Sequence, residues 1–348
     1  MLDILQQSLE AREIIIIPGR EEAEGYGALP VRDLAAGWEV PFDVYLKVKK
    51  NGAEEPLLVK SCARGEVFQE EWYQKLLQLG IPCVYVSLDE MDRVLQYLHH
   101  NLEMVLADDS QSEMAKSLRV CDATQMWILN FFTSEKRRTG AQVDLALKFL
   151  DSLLEVIKSD HYNILYLMEI RRHSYFLYNH CLNVSLLGIA FTGFLGWERE
   201  DIQEFGFGAL IHDLGLIHTP RPILEKQGPL TPEEMALIKR HPLDGYRMMQ
   251  DLVNQRRETL QMVMQHHENG DGSGYCSGLK INAIHPWGRL LRILDSYEAM
   301  TAKRPWRPPM EPKEALWILR SGWEKSRLFD HNYLTAFIKF LAGCAATQ

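Results

Sequence analysis

Cysteine is sparse and unpatterned in this 348-residue chain. Its six residues, Cys62, Cys83, Cys121, Cys181, Cys276 and Cys344, show neither the paired spacing of a zinc site nor a disulfide framework, which excludes a cystine-stapled fold and suits a reducing cytoplasm. Positive charge is in deficit as well: 38 Lys and Arg against 47 Asp and Glu leave a net charge of −9, which argues against nonspecific binding of nucleic-acid polymers. No apolar run reaches the roughly 20 residues of a membrane span, and the most apolar stretch, LNVSLLGIAFTGFLGW, reads as a buried core helix. The opening MLDILQQSLEARE has no basic start followed by an apolar run, so no signal peptide is expected. Internal repeats, low-complexity tracts and glycine-rich phosphate loops are lacking too. What remains is an ordinary globular composition, 46% hydrophobic and 24% charged, long enough for two domains.

Metal-type side chains, by contrast, are concentrated between His212 and Asp295. His212 and Asp213 adjoin in IHDLG, His241 follows in KRHP, His266 and His267 form a pair in QHHENGDGSGY, and Asp295 lies in RILDSYEAM; His180, in YNHCL, adds an imidazole from upstream. Five imidazoles and two carboxylates are enough to hold two divalent cations with positions left for water and substrate. Any one of these histidines alone reads more readily as a satisfied core residue. The whole set does not, because burying so many imidazoles without a cation leaves many donors and acceptors to satisfy. In such a centre Asp213 can bridge cations roughly 3.5–4 Å apart, and the water activated there is poised for in-line attack on phosphorus. His212 and Asp213 are the expected catalytic pair.

The spacing fits helices converging on one point. Gly206 and Gly208 in FGFGALIHDLG would let a helix pack closely, and Gly215 is expected to terminate it just past the His-Asp pair. Neighbouring residues on a helix diverge by about 100°, so His212 with Asp213, and His266 with His267, can share a cluster only if it is compact and close to the helix axis.

From about Tyr175 to Phe329 the chain resembles the HD-GYP domains, a branch of the HD phosphohydrolases that hydrolyse cyclic di-GMP. Beyond the metal-type residues, the resemblance rests on PRPILEKQGPLTPEEMALIKRHPLDGYRMM, the DGSGY turn, Arg289 six residues before Asp295, and TAKRPWR. It implies an all-α metal-dependent phosphohydrolase domain with His180, His212, Asp213, His241, His266, His267 and Asp295 as ligands of two divalent metals. Iron is the metal it favours, while manganese, zinc and nickel also suit His and carboxylate donors. It further implies nucleotide contacts from Tyr275, Arg304 and Arg307, and hydrolysis of cyclic di-GMP to linear pGpG or GMP. Lys303 beside these arginines adds local positive charge, and Trp306 suits guanine stacking and core filling equally.

Three positions depart from the family pattern. The lysine that follows the His-Asp motif and reaches a substrate phosphate is Leu216 here; the proline of Gly-Tyr-Pro is Cys276, after Gly274 and Tyr275; and the aspartate usual three residues past Asp295 is Glu298. Losing one preorganised donor costs about 2.7–4 kcal/mol, roughly 10²–10³ in rate, so Leu216 implies a slowed or altered enzyme. Two other readings follow from these departures: a receptor or protein-interaction module that binds cyclic di-GMP without cleaving it, and a phosphohydrolase for another nucleotide. Cys276 reads as a small apolar residue or a redox-sensitive thiol. Phe176 stands where some relatives place a glutamate for a third metal, which keeps the expected number at two.

Residues 1–107 are of another kind. EIIIIP, FDVYLKVKK with Phe42, Val44, Leu46 and Val48 alternating, EPLLVKSCA and IPCVYVSL read as strands, with Asn51-Gly52 a hairpin signal, while FQEEWYQKLLQLG and DEMDRVLQYLHHNLEMVLA read as helices. They predict a small α/β domain without a catalytic constellation, whose expected role is sensing, partner docking or dimerisation. His99 and His100 lack an accompanying ligand set and read as a solvated or packed pair. Residues 108–160 turn helical and are expected to connect the domains; the apolar face of Val143, Leu145, Leu147, Leu150, Leu153, Leu154 and Ile157 reads as core, although it could pair two copies. Residues 161–348 complete the all-α domain, with helices near Pro312 and over HNYLTAFIKFLAG. The expectation is a two-domain α+β signalling protein of the cytoplasm, not of the membrane. Its partners would be cyclic di-GMP or a related nucleotide, and a protein docking on the N-terminal domain or the GYP loop.

Overall fold

Alternating apolar residues set the strands of the first domain. The computed structural model describes residues 14–16, 25–50, 57–134, 138–159, 168, 176–252, 257–304 and 307–346. Within them β1 (Ile14–Ile16), β2 (Tyr26–Pro30), β3 (Val44–Lys50), β4 (Leu57–Cys62) and β5 (Cys83–Ser87) form one antiparallel sheet. Val44, Leu46 and Val48 are buried, as is Phe42 just ahead of them, because period-2 alternation sends them all to the core face. Asn51-Gly52 lies outside the described residues; the strands that flank it, β3 and β4, pair antiparallel from Val48 opposite Leu57.

Three helices accompany this sheet: α1 (Glu70–Gln78), α2 (Met91–Ala107) and α3 (Glu113–Thr133). Gly80 follows α1 at φ +66°, the left-handed position that ends helices. Helix α2 buries Met91, Val94, Leu95, Leu98 and Leu102, a stripe at spacings of three and four, and its buried Asn101 donates to the Asp33 carbonyl at 2.9 Å. The chain folds as two compact units, residues 1–130 and 131–348, so α3, read from sequence as a connecting helix, belongs for most of its length to the first unit.

The second unit is helical. It begins with α4 (Gly140–Ser159), whose Val143, Leu150, Leu153, Leu154 and Ile157 are buried, and continues through α5 (Phe176–Phe194), α6 (Arg199–Ile211), α7 (Pro232–Ile238), α8 (His241–Met249), α9 (Arg257–Gln265), α10 (Pro286–Thr301), α11 (Pro312–Ser326) and α12 (His331–Ala346). Helix α5 is apolar around most of its circumference, and Cys181, Leu182, Val184, Leu186, Leu187, Ile189, Ala190 and Phe191 are all buried, as a central helix requires. No helix of the described residues is long and apolar enough to cross a membrane. Thr231 and Glu234 form a reciprocal capping box that starts α7. Phe191, Tyr297, Phe337 and Phe340 interlock with ring centroids 5.2–6.2 Å apart, tying α5, α10 and α12 together. The chain between α6 and α7 opens with a 3₁₀ turn, Leu214–His218.

Candidate metal centre

Glycine brings the helices of the second unit close enough to share a site. A Cβ on Gly188 of α5 would fall 2.7 Å from the Phe205 ring, one on Gly206 of α6 2.9 Å from Ile189, and one on Gly208 2.0 Å from the Met262 methyl. This close approach seats α6 between α5 and α9. Gly215 does not terminate α6, contrary to its expected role: the helix ends at Ile211, and Gly215 falls inside the 3₁₀ turn. Space is what demands glycine there, since a Cβ would lie 2.0 Å from the His241 carbonyl oxygen.

Three of the histidines sit just beyond a helix end. His212 follows α6, His241 follows α7 by three residues, and His266 follows α9. Each directs Nδ1 at a carbonyl three residues back: His212 at Ala209 (2.8 Å), His241 at Ile238 (2.7 Å) and His266 at Val263 (2.7 Å). Carbonyls in the last turn of a helix have no helical N–H partner, so they are free to accept. With Nδ1 donating, Nε2 is left as a lone pair, and all three Nε2 atoms face the same interior.

Asp213 lies at the centre of that interior. Its Oδ1 is 3.2 Å from His241 Nε2 and 3.8 Å from His266 Nε2, while Oδ2 is 3.5 Å from His212 Nε2 and 3.6 Å from His180 Nε2. Asp295 Oδ1 approaches His180 Nε2 at 3.2 Å. The seven expected ligands thus form two adjoining sets, Asp213 with His241, His266 and His267, and His180 with His212 and Asp295; within each set the ligand atoms lie within 4.8 Å of one another. The two oxygens of Asp213 face the two sets.

The residues fit a cation. His212 Nε2 is buried and, among the described residues, has no hydrogen-bond partner, and His241 Nε2 stands 3.1 Å from His266 Nε2, lone pair against lone pair. Burial pushes His212 down to about 4 and holds His267 well below its usual value, so both rings are neutral, as ligation requires. Burial works against the charged forms of Asp213 and Asp295, yet both lie well below the usual carboxylate value, Asp295 chiefly through the hydrogen bond from His180. His180 is drawn the other way, up to about 10, because Glu298 and Asp295 outweigh the effect of burial. A cation at its Nε2 would displace that proton.

Glu298 was singled out in the sequence only as a departure from pattern. It is buried, meets His180 Nδ1 at 2.5 Å, and accepts from Asn183 Nδ2 at 2.9 Å and from Arg304 at 3.3 Å. A carboxylate on the outer nitrogen of a ligating imidazole orients the ring and fixes its tautomer. Asn183 is the member of this group that sequence reading missed, and its position three residues past His180, on the same helix face, was the available signal.

The expected nucleotide contacts fare differently from one another. Tyr275 stacks on His267, with centroids 4.7 Å apart, and burial and the site carboxylates keep its phenol protonated. The loop bearing it is clasped by Glu268, whose carboxylate accepts from the Ser277 and Leu279 amides at 2.6 and 2.9 Å. Arg304 is buried and committed to Glu298. Arg307 donates to the Ala299, Met300 and Pro308 carbonyls, closing the C-terminal end of α10. Cys276 is half-buried, and its thiol is pushed up by burial, which disfavours the reactive thiolate. Arg289 pairs with Asp330 at 2.8 Å, a structural role. Trp306 lies outside the described residues.

Residues 173–332 match the HD domain family. The second unit therefore contains an HD domain, with the clustered histidines and aspartates at its centre. That match and the motif set support an HD-GYP domain over these residues. It is 28% identical over 229 residues to the Pseudomonas aeruginosa protein named cyclic di-GMP phosphodiesterase PA4108, covering 66% of this chain and 55% of that one. It is 34% identical over 161 residues to a Vibrio cholerae protein named 3'3'-cGAMP-specific phosphodiesterase 1, covering 45% of this chain and 37% of the relative. The chain thus spans about half or less of the length of these relatives. Among solved structures it is similar to Bd1817, an HDG"Y"P protein from Bdellovibrio bacteriovorus, with a TM-score of 0.66 and 21% identity over 91% of this chain and all of that one. This last likeness concerns the fold alone.

Proposed function

We propose that the helical unit is a metal-dependent phosphodiesterase that hydrolyses cyclic di-GMP to linear pGpG, GMP or both. The reading is carried by Asp213, whose two oxygens face two sets of imidazoles and a second carboxylate in a buried interior. His180, His212 and Asp295 would hold one divalent cation and His241, His266 and His267 a second, with Asp213 serving both. Iron is favoured, and manganese, zinc or nickel would suit the same donors. When bound, the cations would supply positive charge for the phosphate oxygens and lower the pKa of an attacking water.

The chain's own residues do the rest. The Nδ1 hydrogen bonds of His212, His241 and His266 hold the ligand nitrogens inward, and Glu298 does the same for His180. Glu268 holds the loop that places Tyr275 against His267, at the edge of the ligand set, where its ring and protonated hydroxyl can meet a nucleotide. The relative named a cyclic di-GMP phosphodiesterase supports this substrate. The relative named 3'3'-cGAMP-specific favours a second reading, a closely related cyclic dinucleotide at the same site. Leu216 favours a third, a receptor that binds and does not cleave.

Protein purified without oxygen, assayed for metal content and incubated with cyclic di-GMP and with 3'3'-cGAMP, tests these readings. Close to two metals per chain and linear product from cyclic di-GMP, absent in Asp213→Ala, is the expected result. Product from 3'3'-cGAMP alone would replace the substrate, and binding without product would make the protein a receptor.

A further inference from the structure

Phosphate recognition in this site lacks the motif lysine, and we infer that Lys239 supplies the missing cation. The inference rests on the phosphodiesterase reading for its substrate, and on local geometry for its residue. Leu216 adjoins Gly215, and Gly215 lies directly on the main chain of His241. Lys239 is two residues before His241. The side chains of 216 and 239 therefore leave the backbone close to one and the same contact. Lys239 Nζ reaches over the Tyr275 ring, 5.5 Å from its centroid, and that ring stacks on His267 of the ligand set.

The neighbouring arginines are already engaged. Arg304 is held by Glu298, Arg307 by backbone carbonyls, and Arg292 by Asn269 and Ser296. Lys239 is exposed and, among the described residues, its ammonium has no ion-pair or hydrogen-bond partner; the Tyr275 face is against it. An ammonium on a flexible four-carbon stem acts as a movable point charge, and exchanging a ring face for phosphate oxygens breaks no built contact. Lys239 would thus contact the phosphodiester directly.

The test uses the whole, metal-loaded chain as wild type, Lys239→Gln, Lys239→Arg and Leu216→Lys/Lys239→Gln. Inorganic phosphate and cyclic di-GMP are titrated by calorimetry, and KM and kcat are measured beside metal content. Lys239→Gln is expected to weaken phosphate binding about tenfold and to raise KM more than it lowers kcat, at unchanged metal content. Lys239→Arg should keep most of the affinity, and the double variant should regain it. Phosphate binding by Lys239→Gln within twofold of wild type, or loss of its metals, overturns the inference. Equal cleavage of cyclic di-GMP by wild type and Lys239→Gln overturns Lys239 alone and leaves the phosphodiesterase reading standing. Weakened phosphate binding in Lys239→Gln, with no cleavage by wild type, keeps Lys239 and removes the cyclic di-GMP reading. Wild type that binds no phosphate overturns both.

Discussion

Two adjacent histidine pairs occupy this chain, and they share little beyond their spelling. His99 and His100 lie inside α2, where the helix consumes the carbonyls behind them; their rings lie 3.5–3.9 Å from the single carboxylate of Glu103, and His100 is exposed beside Trp38. His266 and His267 begin just past the last residue of α9, where an unpaired carbonyl anchors Nδ1 of His266 and a second carboxylate-bearing segment faces its Nε2. Placement relative to a helix end, more than residue type, separates a pair held on a helix face from a pair turned toward a candidate metal centre. His212 and His241 repeat the arrangement after α6 and α7.

The strongest way to break this contrast is to remove what the ligand pair faces. Asp213→Ala should abolish metal retention and turnover together, read by elemental analysis and product formation; two metals retained would mean that Asp213 does not join the sets. Next in size, Glu298→Gln should loosen His180 and lower metal affinity about 10–100-fold, measured by competition with a chelator of known strength. If affinity stays put, Glu298 serves packing only. Gly215→Ala should lower stability by about 1–3 kcal/mol in denaturant titration, because the added methyl must push the 3₁₀ turn off His241. Smallest of all, His99→Ala with His100→Ala should change metal content not at all and stability by about 0.5 kcal/mol or less. Loss of metal in that double variant would erase the distinction between the pairs.

Much of this was legible before any fold was known. Period-2 alternation placed β3 with its buried Val44, Leu46 and Val48, and Phe42 just ahead of it, and spacings of three and four placed α2 and α4. The seven clustered side chains could be read because the ligand types themselves are rare in apolar helical segments. What escaped depends on contacts between distant segments. Gly215 reads as a terminator until His241, 26 positions on, is seen against it. Arg304 and Arg307 look like open phosphate donors because a sequence does not show Glu298 and the α10 carbonyls taking their hydrogen bonds. Lys239 carries no signal at all without the Tyr275 ring beneath it.

The anchoring of three imidazoles to their own helix ends has a thermodynamic consequence. Immobilising a side chain on binding costs about 0.5–1.5 kcal/mol of conformational entropy when its rotamer is not already chosen. Here the choice is made as the last turns of α6, α7 and α9 form, so the ordering is charged to folding and not to ligation. Metal affinity at such a centre would then read out how firmly three helix termini are wound, and a substitution that frays one of them would weaken it without touching His212, His241 or His266.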